Sequence, residues 1–350
     1  MSAAQLLFKP TSVTALSGNA SVALTLGSNP LYMVGVESLV PGTDASALRV
    51  TLNAFAADYE YHNSRARSNS TVYAADANSS AGWMQAISRL GTGTGEGANM
   101  SLFVPNASNA SLYKPIWGAG AQVDKDGGLC AHNVLASYYS GATTALTSLT
   151  LAASSGTLAT GNIRHWEFVF SSLSAIGSTF GAATLLQYEE ADGDANLDFD
   201  LTGGYDKYLL VQLGVVLGTD NTGLYGRVGT AGGVKDADYR RHTDRSDSSS
   251  SSYAASASAS SATVVLSDSA GNAAGENACS VVEIPNPSGQ YKIVAQQGAF
   301  VNASGRAAMS NGAGSWTAGT DQLTTFRVLP FSGTITSGEF FLIGVTQPPF

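Results

Sequence analysis

One stretch of this chain returns in its second half with its order intact, and that recurrence narrows the available folds more than any other feature. Asp58-Tyr59-x-x-His62-x-x-Arg65 comes back as Asp238-Tyr239-x-x-His242-x-x-Arg245, 180 residues later. Tyr73-Ala74-Ala75 and Tyr253-Ala254-Ala255 keep that spacing, as do Gly95-Glu96 and Gly275-Glu276, and Pro105-Asn106 and Pro285-Asn286. Outside this block the spacing drifts by a few residues, as insertions in surface loops would make it. Tyr32 then pairs with Tyr208, Gly42-Thr43-Asp44 with Gly218-Thr219-Asp220, Tyr113-Lys114 with Tyr291-Lys292, and Ser155-Gly156-Thr157 with Ser332-Gly333-Thr334. Chance matching of Ala/Ser-rich stretches would not keep Tyr, His, Arg, Glu and Pro-Asn in register, so the chain reads as one module used twice.

Each copy alternates short β-prone runs with turn residues. The first has LYMVGV, ALRVTL, MSLFVPN, LTSLTLA and HWEFVF; the second has YLLVQLGVVL, LYGRV, CSVVEIPN, YKIVAQ, TFRVLP and EFFLIGV. Only 12% of residues are charged and 39 are glycine, which starves helices of Glu, Lys and Arg. The expected fold is all-β: two tandem jelly-roll-like (Greek-key) β-sandwich domains related by internal duplication. The first spans 1–166, a linker 167–186, and the second 187–350. One short loop helix is expected at Gly82–Leu90, where Met84, Ile87 and Leu90 fall three apart. The Ser/Ala tract Ser246–Ala262, counterpart of Ser68–Ser88, is expected to be an exposed loop, having little apolar surface to offset its ordering.

In the second copy the residues resemble the small β-sandwich modules of tailed-bacteriophage virion proteins, of the tail fibre and minor structural type. The carriers are Tyr205-Asp206-x-Tyr208, Gly218-Thr219-Asp220-x-x-x-Leu224, Gly232-Gly233, Tyr239, Gly271-Asn272-x-x-Gly275-Glu276, Ile284-Pro285-Asn286-Pro287 and Tyr291-Lys292. The closing run is Ser332-Gly333-x-Ile335-x-Ser337-Gly338-x-Phe340-x-Leu342-x-Gly344, and the match covers roughly Trp166 to Val345. The first copy departs at Arg164-His165-Trp166 and lacks the Gly-Gly turn. The resemblance implies a phage particle, assembly as a symmetric oligomer with a trimer favoured, and no catalytic residues.

A formal charge of -9 opposes a nucleic-acid partner, which needs clustered Lys and Arg. Neither a secretory leader nor an apolar run long enough to span a bilayer is legible, so synthesis in a host cytoplasm and no membrane insertion are expected. Asn69, Asn78, Asn106 and Asn302 lie in glycosylation triplets but are expected unmodified without a secretory route. Cys130 and Cys279 are expected as free thiols, and no cofactor is expected. His62, His132, His165 and His242 form no metal motif; His62 and His242, at equivalent positions, are expected to make a structural hydrogen bond within each copy. The acidic stretch Glu189–Asp200 offers Asp192, Asp194 and Asp198 as weak Ca²⁺ candidates, but the strict alternation of acids reads better as the solvated face of a strand. Trp83 and Trp316, set among Gly and Ser, are the candidate surface aromatics for stacking on a sugar, while Trp117 and Trp166 in strand-like runs are expected to be buried. Read together, these features lead to an expectation of a non-enzymatic virion structural protein, tail- or fibre-associated, binding other virion proteins and presenting an outer surface. The alternatives are a capsid decoration or head-fibre protein, or a carbohydrate-binding module for a host surface glycan.

Overall fold

A computed structural model gives the chain as strand and turn; it describes residues 8–53, 59–67, 74–126, 129–138, 143–168, 179–180, 183–247, 254–286 and 292–346. Among these no helix occurs. The chain divides into two compact units, one made mainly of Phe8–Phe168 and the other mainly of Val169–Ser246 and Tyr253–Phe350. Glu167 and Phe168, assigned from sequence to the linker, close the last strand of the first unit, and Ala183–Leu186 open a strand of the second.

The first unit is built from β1 (Phe8–Ala15), β2 (Ser21–Thr25), β3 (Leu31–Pro41), β4 (Ser46–Leu52), β5 (Tyr59–Arg67), β6 (Ala74–Ala81), β7 (Met84–Leu90), β8 (Gly97–Pro105), β9 (Lys114–Val123), β10 (Leu129–Tyr138), β11 (Ser148–Ala153) and β12 (Leu158–Phe168). One antiparallel sheet runs β1-β12-β3-β8-β9-β10-β5-β6 and a second runs β2-β11-β4-β7. Alternate residues face inward, which is why Val22 and Leu24 of β2 are buried between exposed neighbours. They meet Leu48, Val50 and Leu52 of β4 and, from the larger sheet, Tyr32, Val34 and Leu102 in one core. Removing each such side chain from water contributes roughly 1.5–3 kcal/mol.

The second unit is built from β13 (Thr179–Phe180), β14 (Ala183–Ala191), β15 (Leu197–Asp200), β16 (Lys207–Leu217), β17 (Thr222–Thr230), β18 (Gly233–Val234), β19 (Tyr239–Asp247), β20 (Ala254–Ser261), β21 (Val264–Ala270), β22 (Ala278–Pro285), β23 (Lys292–Val301), β24 (Ala307–Trp316), β25 (Thr325–Pro330) and β26 (Ile335–Val345). Its larger sheet runs β13-β14-β26-β16-β22-β23-β24-β19-β20; the smaller runs β15-β25-β17-β18, with β21 also on β17. With the two-residue strands β13 and β18 set aside, the succession in both sheets matches the first unit strand for strand.

Residues paired by the repeat do the same work in each unit. Gly42 donates to the Thr157 carbonyl at 2.7 Å and Gly218 to the Thr334 carbonyl at 2.8 Å. A Cβ on Gly156 would lie 2.1 Å from the Thr43 hydroxyl, and one on Gly333 2.3 Å from that of Thr219. Lys114 and Lys292 are both buried, as are Tyr59 and Tyr239. The Tyr59 hydroxyl accepts the Leu52 amide at 2.5 Å, and the Tyr239 hydroxyl accepts the Val228 amide at 2.8 Å while donating to the Lys235 carbonyl at 3.1 Å. Each tyrosine thereby pins the larger sheet to a strand of the smaller. Tyr239→Phe strands the buried Val228 N–H, so a loss of about 1–3 kcal/mol is expected in urea unfolding; no change would mean the hydroxyl is energetically idle.

Two expectations about secondary structure are corrected. Gly82–Leu90 holds strand β7, not a helix: Met84, Ala86, Ser88 and Leu90 are buried at a period of two. Ile87 joins them because the pairing slips at a bulge, with Arg89 at φ 56°, and this produced the apparent spacing of three. The Ser/Ala tract is not wholly loop, since Ala254–Ser261 forms the edge strand β20 on β19. Ladder hydrogen bonds, which need no apolar side chains, hold it there, and its described residues are largely exposed.

Candidate functional site

Adjacent irregularities in the larger sheet of the first unit open a hollow on its outer face. On β3 the pairing slips between Val36 and Leu39, where Ser38 sits at φ 50°, and on β12 it slips on both sides of Thr160, next to Gly161 at φ 120°. Such bulges re-aim side chains and interrupt the pleat. The resulting space, about 490 Å³, is lined by Ser38, Glu96, Asn99, Gln122 and Thr160, with Val40 among its apolar residues. The Ser38 amide donates to Asn99 Oδ1 at 2.9 Å, which fixes the carboxamide. Glu96 Oε2 accepts the Gly93 amide at 2.6 Å, in a turn so tight that a Cβ on Gly91 would lie 2.0 Å from that oxygen. Buried Gln122 donates to the Ser88 carbonyl at 2.7 Å, and its Oε1 has no partner among the described residues. Sequence reading missed this set because its members come from separate strands and belong to no linear motif.

Of the aromatics singled out, Trp316 is 5% exposed and packs in the second core, which corrects its surface placement. The Gly and Ser around it misled, because glycine here serves close packing: a Cβ on Gly319 would lie 2.9 Å from the indole. Trp83 is half-buried against the first core, with the Arg49 guanidinium 3.8 Å above its ring and Tyr61 stacked at 6.0 Å. Its ring thus already has partners and is no bare platform for a sugar. In the second unit Tyr225 on β17 stands where Arg49 stands on β4, Arg241 on β19 stands where Tyr61 stands on β5, and the Arg241 guanidinium lies 5.8 Å from the Tyr225 ring. Cation and aromatic have exchanged sheets. Trp117 is buried as expected, and Trp166 is half-buried with its ring over Gly35.

The acidic stretch behaves as its alternation suggested, with Leu197 and Phe199 buried and Asp198 and Asp200 exposed. Asp198 makes a two-pronged pair with Arg327, both bonds 2.6 Å. Asp194 accepts the Asp192 amide at 2.9 Å, closing a turn at Gly193. In the first unit the neutral Asn19 does the same, accepting the Ser17 amide at 2.8 Å, so the carboxylate is doing turn chemistry that needs no metal. Among the described residues, no group of three or more His, Cys, Asp or Glu is poised to hold an ion. Glu339, not singled out in the sequence, lies opposite Glu190 on the neighbouring strand and accepts from Tyr188 at 3.2 Å; burial raises its pKa.

Among the described residues His242 does not make the expected structural hydrogen bond. Its side chain is 56% exposed and lies 3.8 Å from Asp244, beside a shallow groove of about 280 Å³ with Arg240 and the exposed Ile293. The side chains of His62, His132 and Cys130 lie outside the described residues. Cys279 is buried and forms no disulfide among the described residues. His165 is buried and stacks on Tyr32 at 5.3 Å, with Nε2 unpartnered among the described residues. Burial holds its pKa below the usual 6.5, with Glu167 opposing. The unfolded chain therefore takes up this proton first, so the His165 contribution is intact above pH 6.5 and is lost as pH falls from there. His165→Phe keeps the stack and removes the titration. It is expected to flatten the decline in melting temperature between pH 7 and 5; an unchanged slope would assign the decline elsewhere.

No family model and no curated protein matches the chain. Among solved structures it is similar to the β domain of the Bordetella autotransporter BrkA, at 10% identity, covering 85% of this chain and 99% of that one with a TM-score of 0.14. It is also similar to the infectious bursal disease virus VP2 subviral particle, at 8% identity over 97% of this chain and 78% of that one, TM-score 0.12. The transport unit of the autotransporter AIDA-I from Escherichia coli gives 9% identity over 83% and 90%, TM-score 0.14. At such scores the likeness carries no argument about this chain's fold or role.

Proposed function

We propose that the chain is a non-enzymatic structural protein of a tailed-bacteriophage virion, tail- or fibre-associated, that attaches to other virion proteins and presents an outer binding surface. The observation that carries this is the strand succession, met twice. In each unit four strands of the larger sheet and four of the smaller, β1-β12-β3-β8 with β2-β11-β4-β7 and β14-β26-β16-β22 with β15-β25-β17 and β21, run in an order that supports a jelly-roll reading. Hairpins added between its strands widen the larger sheet. The shared glycine clasps, buried tyrosines and buried lysines support descent of both units from one duplicated module, and the second unit's motifs resemble phage virion modules. A scaffold kept in duplicate while its surface residues diverge suits attachment and display.

Electron microscopy of purified particles with a gold-labelled antibody to the chain tests this reading. Label on the tail or its fibres is the expected result; label spread over the shell makes the chain a capsid decoration protein, and unlabelled particles overturn the proposal. Oligomerisation as a homotrimer is part of the same proposal, and light scattering of the purified chain is expected to return the trimer mass.

A further inference from the structure

We infer that the hollow on the outer face of the first unit binds a neutral saccharide. This deepens, and rests on, the reading of the chain as a binding protein. Its volume falls within the roughly 300–1,000 Å³ of small-ligand sites. The lining pairs undirected hydroxyls, Ser38 and Thr160, with two directed groups. Asn99 Nδ2 is aimed by the bond that Oδ1 accepts from Ser38, and Glu96 is fixed through Oε2, leaving Oε1 to accept. No basic residue lines the space to favour an anion, and a lone carboxylate falls far short of the oxygen shell a divalent cation takes. Fixed donors and acceptors over a partly apolar floor fit a polyhydroxylated, uncharged ring.

The second unit supplies an internal comparison. There the Gly214 amide stands where that of Ser38 stands, and it donates to Cys279 Sγ at 3.3 Å in place of an asparagine oxygen. The thiol donates to Asn277 Oδ1 at 3.4 Å, and Asn277 Nδ2 donates to the Gly275 carbonyl at 2.9 Å. Asn277 is wholly buried, so this unit satisfies its own polar groups with a side chain. In the first unit glycine, Gly97, takes the place of Asn277. The carboxamide that fills the space in one unit is missing from the other, and Asn99 Nδ2, with no protein partner among the described residues, is exposed to solvent. A saccharide hydroxyl would take the place of solvent as its acceptor.

The test uses the full chain, titrated against glucose, galactose, mannose, N-acetylglucosamine, N-acetylgalactosamine and their disaccharides by calorimetry and saturation-transfer NMR. At least one is expected to bind with a millimolar or tighter Kd. Asn99→Asp keeps an oxygen that accepts from Ser38, trades the N–H donors for a second acceptor oxygen and adds one negative charge; it is expected to weaken binding about tenfold or more with the melting temperature held. Thr160→Val, on the opposite wall, is expected to weaken it as well. Failure of every sugar to bind, or equal binding by Asn99→Asp, overturns the inference. Particle labelling is scored separately, so a chain that sits in virions yet binds no sugar refutes this site and leaves the structural reading standing.

Discussion

Gly161→Ala is expected to destabilise the first unit by about 3 kcal/mol or more. The residue sits at φ 120°, and a Cβ there would lie 2.7 Å from the Glu37 carbonyl oxygen, 2.8 Å from that of Ser38 and 2.9 Å from Leu39 Cα. All three are backbone atoms of the neighbouring bulged strand, so no rotamer change relieves the clash. Gly193→Ala separates conformational strain from contact: it also has positive φ, 79°, but nothing within 4 Å of the added carbon. Its cost is the backbone preference alone, about 1–2 kcal/mol. Urea unfolding of both variants checks the argument, and equal losses would mean that the bulge tolerates a side chain and that contact adds nothing.

Lys114→Met is expected to cost a further large amount, about 3–5 kcal/mol for the loss of three hydrogen bonds from a charged donor. The ammonium is buried and donates to the carbonyls of Asn109, at 2.7 Å, Thr143, at 2.8 Å, and Leu112. It therefore ties the turn after β8 to the segment that leads into β11. Methionine fills the same volume but leaves those carbonyls short of a donor in a dry site. Lys114→Arg, with its wider head group, is expected to fall between wild type and Met. In the second unit Lys292 is also buried, with its ammonium 3.4 Å from the Thr320 carbonyl, and burial lowers its pKa while Asp321 opposes. Chemical unfolding followed by tryptophan fluorescence measures both, and a loss below about 1 kcal/mol for Lys114→Met would show the cage to be incidental.

The strands were legible because their signal is local. Runs such as LYMVGV and YLLVQLGVVL are apolar on both sides of the pleat, and both became central strands, β3 and β16, buried on both faces. The matched residues stood out in the sequence because they have fixed duties: the tyrosines that join the sheets, the Gly-Thr clasps, the buried lysines. Where sequence reading failed, the cause was a bulge or an edge. The bulge in β7 mimicked helical spacing, and β20 is held by a neighbour's backbone, which no side-chain pattern records. The hollow was illegible for a related reason, since Ser38, Asn99 and Thr160 stand far apart in the chain and meet only because β3, β8 and β12 lie side by side. Trp316 misled because glycine-rich surroundings signal exposure in a loop but close packing beside a ring.

The exchanged arginine and aromatic partners bear on how a chain with two like halves folds without error. Tandem modules of one pattern risk docking a hairpin on the wrong sandwich during synthesis. Were the β19-β20 hairpin to seat on the first unit, Arg241 would bring a second guanidinium to the Trp83 ring that Arg49 already covers; were β5-β6 to seat on the second, Tyr61 would meet Tyr225 and the guanidinium partner of that ring would be lost. Each half thus keeps one guanidinium for its own aromatic group, a balance that an exchanged hairpin would upset in both.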